Sequence, residues 1–107
     1  MTTFDNRKDA FESKFARDEE LRFKATARRN KLLGLWAASM LGKTGEDADA
    51  YAKSVVLADF QEAGDDDVLR KVRGDLEAGG KPQSEAEVRR TMDELLAKAV
   101  ADIQAGR

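Results

Sequence analysis

Cysteine and histidine are both missing from the 107 residues of this chain. Without them the protein forms no disulfide, no zinc site built on thiolate or imidazole, and no histidine-based acid–base site. Proline occurs once, and no apolar run approaches the roughly 20 residues that a membrane-spanning helix needs. The beginning of the sequence also lacks the apolar core of a signal peptide. These absences favour a cytoplasmic protein that is not inserted in a membrane and is not an enzyme.

Helix-forming residues dominate what is present. Alanine occurs 17 times, charged residues make up 37% of the chain, and β-branched runs that would support a sheet are rare. A chain of this length forms one domain with a small core. We therefore predict an all-α fold: a four-helix bundle with a flexible N-terminal segment that becomes helical on binding.

Charge is distributed unevenly along the chain. Residues 1–43 carry ten basic and six acidic side chains, whereas residues 44–107 carry nine basic and 15 acidic ones. The basic first part is too interleaved with acidic residues to be typical of a nucleic-acid-binding face. It is better suited to docking on an acidic protein surface. We expect a protein partner and no nucleic acid.

Apolar residues recur at helical spacing in four stretches, each bounded by glycine or by a capping residue. We predict helices over about residues 18–41, 47–63, 68–78 and 85–104. The last helix begins with Ser84 and Glu87 at the spacing of a capping box. The apolar side of the first helix is expected to include Leu21, Ala25, Leu32, Leu35, Trp36 and Met40.

Residues 1–17 precede the predicted bundle at 18–107 and carry the candidate partner site. At 3.6 residues per turn their three phenylalanines share one narrow face. Burying them contributes about 5–9 kcal/mol, whereas ordering the segment costs at least about 15 kcal/mol of backbone entropy. We expect the segment to be disordered or frayed alone and helical when bound; folding back onto the bundle is the alternative. The candidate partner-binding residues are Phe4, Arg7, Lys8, Phe11, Lys14 and Phe15.

Two short motifs could bind a phosphate or a metal ion, but a structural role is favoured for both. Gly42-Lys43-Thr44 ends like a phosphate-binding loop, yet Ala37 stands where that motif needs its first glycine. We expect a helix end there instead. The three aspartates at 65–67 lack the ligand spacing of a calcium loop. We expect them to stabilise the start of a helix.

Three further groups of residues have both a functional and a structural interpretation. Glu19 and Glu20 are expected to pair with basic residues one turn away rather than to act as catalytic acids. Trp36 and Tyr51 are expected in the core rather than in a ligand platform. A basic cluster is either a solvated helix face or an anion-binding or docking patch. It consists of Arg28, Arg29 and Lys31, with Arg22 and Lys24 upstream.

Several blocks of sequence are more specific than a generic helical bundle requires. The longest extends from Asp18 to Ala38, and the others are Thr3-Phe4-Asp5, Phe11-Glu12-x-Lys14-Phe15-Ala16, Tyr51-Ala52-Lys53, Asp59-Phe60 and Arg89-Arg90-x-Met92-Asp93-Glu94-Leu95-Leu96. Together these blocks cover nearly the whole chain. The sequence in this respect resembles the ζ subunit of the α-proteobacterial F1Fo-ATP synthase.

The resemblance implies a non-catalytic subunit that binds the F1 head and blocks ATP hydrolysis. Its inhibitory element would be residues 1–17, inserted at a catalytic αβ interface, so the F1 α, β and γ subunits are the implied partners. ADP or ATP is implied as a regulatory ligand, with no other cofactor. The implied location is the cytoplasm, at the inner face of the plasma membrane, and the free chain is expected to be monomeric. The alternative is a nucleotide-sensing or adaptor bundle without strong inhibitory action.

Overall fold

The computed structural model describes the backbone of residues 2–59 and 65–106 and the side chains of residues 19–59 and 65–106. It contains four helices, α1 (Thr2–Met40), α2 (Gly45–Ala58), α3 (Asp66–Ala78) and α4 (Glu85–Gln104). The described ranges contain no strand. The predicted all-α, four-helix architecture is confirmed. Helix α1 begins at Thr2, earlier than the predicted residue 18. The change of residues 1–17 from disordered to helical on binding concerns two states of the protein and stays a prediction.

A glycine-based turn ends α1 and reverses the chain into α2. Gly42 adopts a φ angle of +75°, and the backbone N–H of Lys43 donates to the carbonyl of Ala38 over 2.8 Å. This backward hydrogen bond satisfies a carbonyl that the last helical turn would otherwise leave unpaired. The motif that resembles a phosphate loop is therefore a helix end, as predicted.

The core lies where the four helices meet and is built from aliphatic side chains and one methionine. Trp36 and Tyr51 pack against it while remaining partly exposed, which confirms their predicted structural role. The buried members of the core are Leu33, Ala37, Val55, Val68, Leu69, Val72, Leu76, Val88 and Met92.

The buried side of α1 differs from the predicted one. Leu33 is fully buried, whereas Leu32 and Leu35 are only partly buried and border a groove. The close approach of α2 gives the reason. Gly34 lies so near to α2 that an added Cβ would come within 2.5 Å of the Cα of Ala52. This contact directs the Leu33 side of α1, rather than the Leu32 side, toward the core.

The helix ends are set by local hydrogen bonds. The backbone N–H of Asp59 bonds to the carbonyl of Val56 over 3.3 Å, so α2 ends at Ala58 instead of the predicted residue 63. Residues 60–64 lie outside the described ranges. At α4 the hydroxyl of Ser84 accepts a 3.1 Å hydrogen bond from the backbone N–H of Glu87. The predicted cap and the predicted range of α4 are both confirmed.

Candidate functional site

Helix α1 is much longer than the helices that pack against it. Its 39 residues extend about 58 Å at 1.5 Å per residue, whereas the 14 residues of α2 extend about 21 Å and the 20 of α4 about 30 Å. The predicted partner site occupies the beginning of α1. The side chains of that site lie outside the described ones, so their roles stay predictions: Phe4, Arg7, Lys8, Phe11, Lys14 and Phe15.

The first described side chains of α1 lie at the point where the helix joins the bundle. Glu20 and Lys24 form the predicted ion pair one turn apart, with 3.2 Å between their charged atoms. On the bundle side, Leu21 and Val100 of α4 border a small hollow of about 200 Å³. Phe23 is 68% exposed. One side of α1 is therefore in contact with α4 here while another side carries a large apolar group in solvent.

Arg29 connects the middle of α1 to the start of α3. Its guanidinium group donates to both carboxylate oxygens of Asp65, over 3.1 Å from Nη1 and 2.8 Å from Nη2. Nε and Nη2 also donate to Oδ1 of Asn30 over 3.1 and 2.9 Å. Arg29 is only 3% exposed, and a buried guanidinium needs such partners to replace its hydration. Arg29 therefore belongs neither to a solvated helix face nor to an anion-binding or docking patch, and the prediction for the basic cluster is wrong at this residue.

Arg29 lowers the pKa of two nearby carboxyl groups, but their net shifts are opposite. The hydrogen bonds from Arg29 hold the pKa of Asp65 below its ordinary value. Burial raises the pKa of Asp59, although the charge of Arg29 acts in the opposite direction. The side chain of Asn30 also acts to lower the pKa of Asp59. The Nδ2 atom of Asn30 is buried and makes no hydrogen bond to the described residues. The cluster is a joint between α1 and the α2–α3 junction.

Three other members of the basic cluster border an open groove of about 850 Å³, while Arg22 borders the smaller hollow between α1 and α4. Side chains of α1, α2 and the last part of α4 form this groove. The guanidinium of Arg28 lies 3.8 Å from the carboxylate of Asp102, so part of its charge is compensated. The basic members of the lining are Lys24, Arg28 and Lys31, and the apolar ones include Leu32, Leu35, Val56 and Ile103. This combination suits an anion that also carries an apolar group.

The acidic start of α3 has the structural role that was predicted for it. Asp66 and Asp67 lie in the first helical turn, where negative charge is favourable. Asp65 makes no side-chain cap, because its carboxylate binds Arg29 instead. Among the side chains of residues 19–59 and 65–106, no group of three or more acidic residues could hold a metal ion. No helix of the described part is long and apolar enough to cross a membrane.

Comparison with known protein families identifies the family of this chain. The sequence pattern of the family described as ATPase inhibitor subunit zeta matches residues 1–102. The chain belongs to the ATPase inhibitor subunit zeta family. The match includes both the N-terminal segment and most of the bundle, so the resemblance of the sequence blocks is confirmed. Membership in the zeta family makes this a regulatory chain whose partner is an ATPase.

A solved structure supports the same relationship. A solution NMR structure of a protein that is 53% identical to this zeta-family chain has a similar fold, with a TM-score of 0.71. The aligned part covers 81% of this chain and 99% of the other one. No curated protein matches the sequence.

Two features of this zeta-family chain were not predicted from its sequence. One is the burial of Arg29, for which a signal was available. Arg29 follows Ala25, a member of the predicted apolar side, by four positions, and residues four apart share a helix face. The other is the exposure of Phe23: phenylalanine is usually buried, but its spacing of two residues from Ala25 on the predicted apolar side places it on the opposite side of the helix.

Proposed function

We propose that this chain inhibits ATP hydrolysis by the F1 head of a bacterial ATP synthase. In this proposal residues 1–17 insert at a catalytic αβ interface close to the γ subunit, while the bundle stays outside. The observation that carries the proposal is the family match, which begins at residue 1 and so includes the segment itself. A location in the cytoplasm, on the F1 sector at the inner face of the plasma membrane, goes with it.

The length of α1 supports an insertion mechanism. A helix that extends well beyond its packing partners can enter a cleft without unfolding the body that carries it. The joint at Arg29 holds α1 to α3, and the contact between Gly34 and Ala52 holds it to α2. The inserted end would therefore be connected to a folded body that is too wide to follow it into the cleft.

Inhibition then follows from preferential binding to one state of the enzyme. Each αβ interface must open and close in turn during hydrolysis, and a ligand that binds one state more tightly shifts the population toward it. Each phenylalanine that becomes buried in the cleft contributes about 1.5–3 kcal/mol, and tenfold in affinity corresponds to about 1.4 kcal/mol. Basic side chains of the segment would pair with acidic groups of the cleft.

A full-length variant with Phe4→Ala, Phe11→Ala and Phe15→Ala tests the proposal. Added to F1-ATPase from an α-proteobacterium, wild type should inhibit hydrolysis, and the triple variant should need at least about 100-fold more protein for the same inhibition. Leu57→Ala is the control, because Leu57 is 55% exposed on α2 and far from the segment in sequence. Equal inhibition by wild type and the triple variant would refute insertion of the segment.

A second candidate function, nucleotide sensing, is favoured by the groove beside α1. Lys24, Arg28 and Lys31 could hold the phosphates of ADP or ATP, and the apolar lining could contact the base. Calorimetric titration with ATP should show binding to wild type and weaker binding to Lys31→Gln. Lys81→Gln, at an exposed position outside the groove, should bind like wild type. ATP binding without any inhibition of F1 would favour the sensing or adaptor function over the inhibitory one.

A further inference from the structure

Phenylalanine is kept out of the described core of this protein. The buried apolar residues of the described part are alanine, leucine, valine and methionine. Phe23 has the only phenylalanine side chain within residues 19–59 and 65–106, and it is 68% exposed. Phenylalanine is normally among the most buried residue types, while here small alanines of the same helix are fully buried. The exposed ring of Phe23 is therefore available to a partner.

The position of Phe23 on α1 indicates which partner would cover it. Ala25 is fully buried, and a residue two positions away on a helix points about 200° from it. Phe23 is thus on the side of α1 that faces away from the bundle. It follows residue 17 by six positions, about 9 Å along one uninterrupted helix. A protein that encloses residues 1–17 would reach Phe23 at the edge of its cleft.

Charges of both signs surround Phe23. Its neighbours one turn earlier on α1, Glu19 and Glu20, are exposed and acidic, and Glu20 pairs with Lys24 at 3.2 Å. Arg22 and Lys24 are also exposed and point to the two sides of Phe23, about 100° from it around the helix. An apolar side chain bordered by charges of both signs suits an apolar hollow with a polar border.

We propose that Phe23 is a further contact with F1, packing into an apolar hollow of the αβ pair at the entrance of the cleft that holds residues 1–17. The inference rests on the proposed function and extends the contact surface beyond the N-terminal segment. Because a cleft surrounds an inserted helix, its entrance can contact the side of α1 that the bundle leaves open. Phe23 then fixes how far the helix enters, since α4 already lies against the opposite side of α1 at residues 21–25.

Phe23→Ala in the full-length chain is the decisive variant. Alanine is the best helix former, and the side chain it replaces has no role in the described core, so the bundle should remain folded. We expect about 10-fold or more weaker inhibition of α-proteobacterial F1-ATPase, the loss that corresponds to one phenylalanine leaving an apolar site. Leu57→Ala removes a comparable exposed apolar side chain from α2 and should change inhibition less than twofold. Thermal unfolding should be nearly unchanged in both variants.

The outcomes separate this inference from the proposed function. If the triple alanine variant of the N-terminal segment inhibits like wild type, insertion itself is refuted. If that variant loses inhibition while Phe23→Ala inhibits like wild type, insertion stands and the contact at Phe23 is refuted. A photo-crosslinking residue at position 23 gives an independent readout, and we expect crosslinks to the α or β subunit that are missing from the same substitution at position 57.

A second copy of this chain is the other conceivable occupant of the Phe23 side. Sedimentation of the free chain tests it directly. A dimer that dissociates in Phe23→Ala, together with unchanged inhibition by that variant, would overturn the proposal in favour of self-association. A monomer in both forms, with weaker inhibition by the variant, supports the contact with F1.

Discussion

Arg29 is buried on α1, and its guanidinium group donates hydrogen bonds to two side chains, one adjacent in sequence and one far away. Asn30 is its neighbour in the chain, while Asp65 is 36 positions away. The pair with Asp65 is bidentate, which is the strongest geometry for a guanidinium and a carboxylate. Removing the arginine would leave a buried amide without its donors and a carboxylate without its counter-charge. At the scale of single residues, this is the most consequential polar contact among the described side chains.

Replacement of this arginine should destabilise the bundle strongly. Arg29→Met keeps much of the aliphatic volume but removes every hydrogen bond, and we expect a loss of about 2–3 kcal/mol in the free energy of unfolding. Arg90→Met is the matched control, because Arg90 and Glu94 are more than 70% exposed and 4.0 Å apart. That variant should lose less than about 1 kcal/mol. Urea denaturation measures both, and equal losses would contradict the importance of the buried pair.

The depressed pKa of Asp65 makes part of the stability depend on pH. Hydrogen bonds from Arg29 lower this pKa, and the charge of Arg89 acts in the same direction. A carboxyl with a lowered pKa in the folded state stabilises the fold above its unfolded pKa of about 3.9, and this stabilisation is lost as the pH falls through the folded value. Asp65→Asn should therefore be less stable than wild type between pH 5 and 7.

The difference between wild type and Asp65→Asn should shrink steadily as the pH falls below about 4. Urea denaturation at pH 7, 5, 4, 3 and 2 measures it. Burial raises the pKa of Asp59 and the charge of Asp65 adds to this rise, so the same comparison is repeated in an Asp59→Asn background to remove its contribution. A difference that stays constant down to pH 2 would show that Asp65 contributes no charge-dependent stability.

At the scale of helices, two glycines within helical segments have opposite roles. Gly34 of α1 faces α2 so closely that an added Cβ would clash with the backbone at Ala52. Gly74 of α3 has nothing within 4 Å of the same position. Glycine in a helix costs roughly 1 kcal/mol relative to alanine. The close contact with α2 explains why glycine is needed at position 34, whereas no neighbouring atom requires glycine at position 74.

The two alanine substitutions should change stability in opposite directions. Gly34→Ala must push α1 and α2 apart, and overpacking of this kind costs about 1–3 kcal/mol, more than the gain in helix propensity. Gly74→Ala should raise the free energy of unfolding by about 0.5–1 kcal/mol. Thermal and urea denaturation of both variants measure these changes. Stabilisation by Gly34→Ala would mean that the two helices are not in close contact.

Some features of the helices could be predicted from the sequence, whereas others could not. The Ser84 cap and the glycine end of α1 were predicted correctly, since a few neighbouring residues determine each of them. The buried side of α1 was not, because Leu32, Leu33 and Leu35 offer overlapping apolar sides and only the approach of α2 selects Leu33. The candidate partner site was predicted from sequence and stays a prediction.

At the scale of the whole molecule, the folding of residues 1–17 on binding can be measured. The entropy of ordering this segment exceeds what its three phenylalanines can recover alone. We expect its backbone amides to exchange with deuterium within seconds in the free chain, while those of residues 25–38 are protected. Binding to F1 should slow the exchange of residues 1–17. Strong protection of the segment in the free chain would contradict conditional folding.

The sequence by itself determined the class of this protein. Alanine-rich amphipathic stretches, glycine stops and a serine cap act over one or two helical turns, so they determine four helices without reference to distant residues. The sequence blocks that resemble the zeta family were also sufficient to identify it, as the match to residues 1–102 confirms.

Only the tertiary structure decided which side chains are buried and which are left for a partner. Burial of Arg29 depends on Asp65, and burial of Leu33 depends on the helix that carries Ala52. Phe23 is exposed because the bundle packs against the opposite side of α1, at Ala25. The physical reason is common to all three: helix formation depends on neighbours in the chain, whereas burial depends on surfaces that only the assembled bundle brings together.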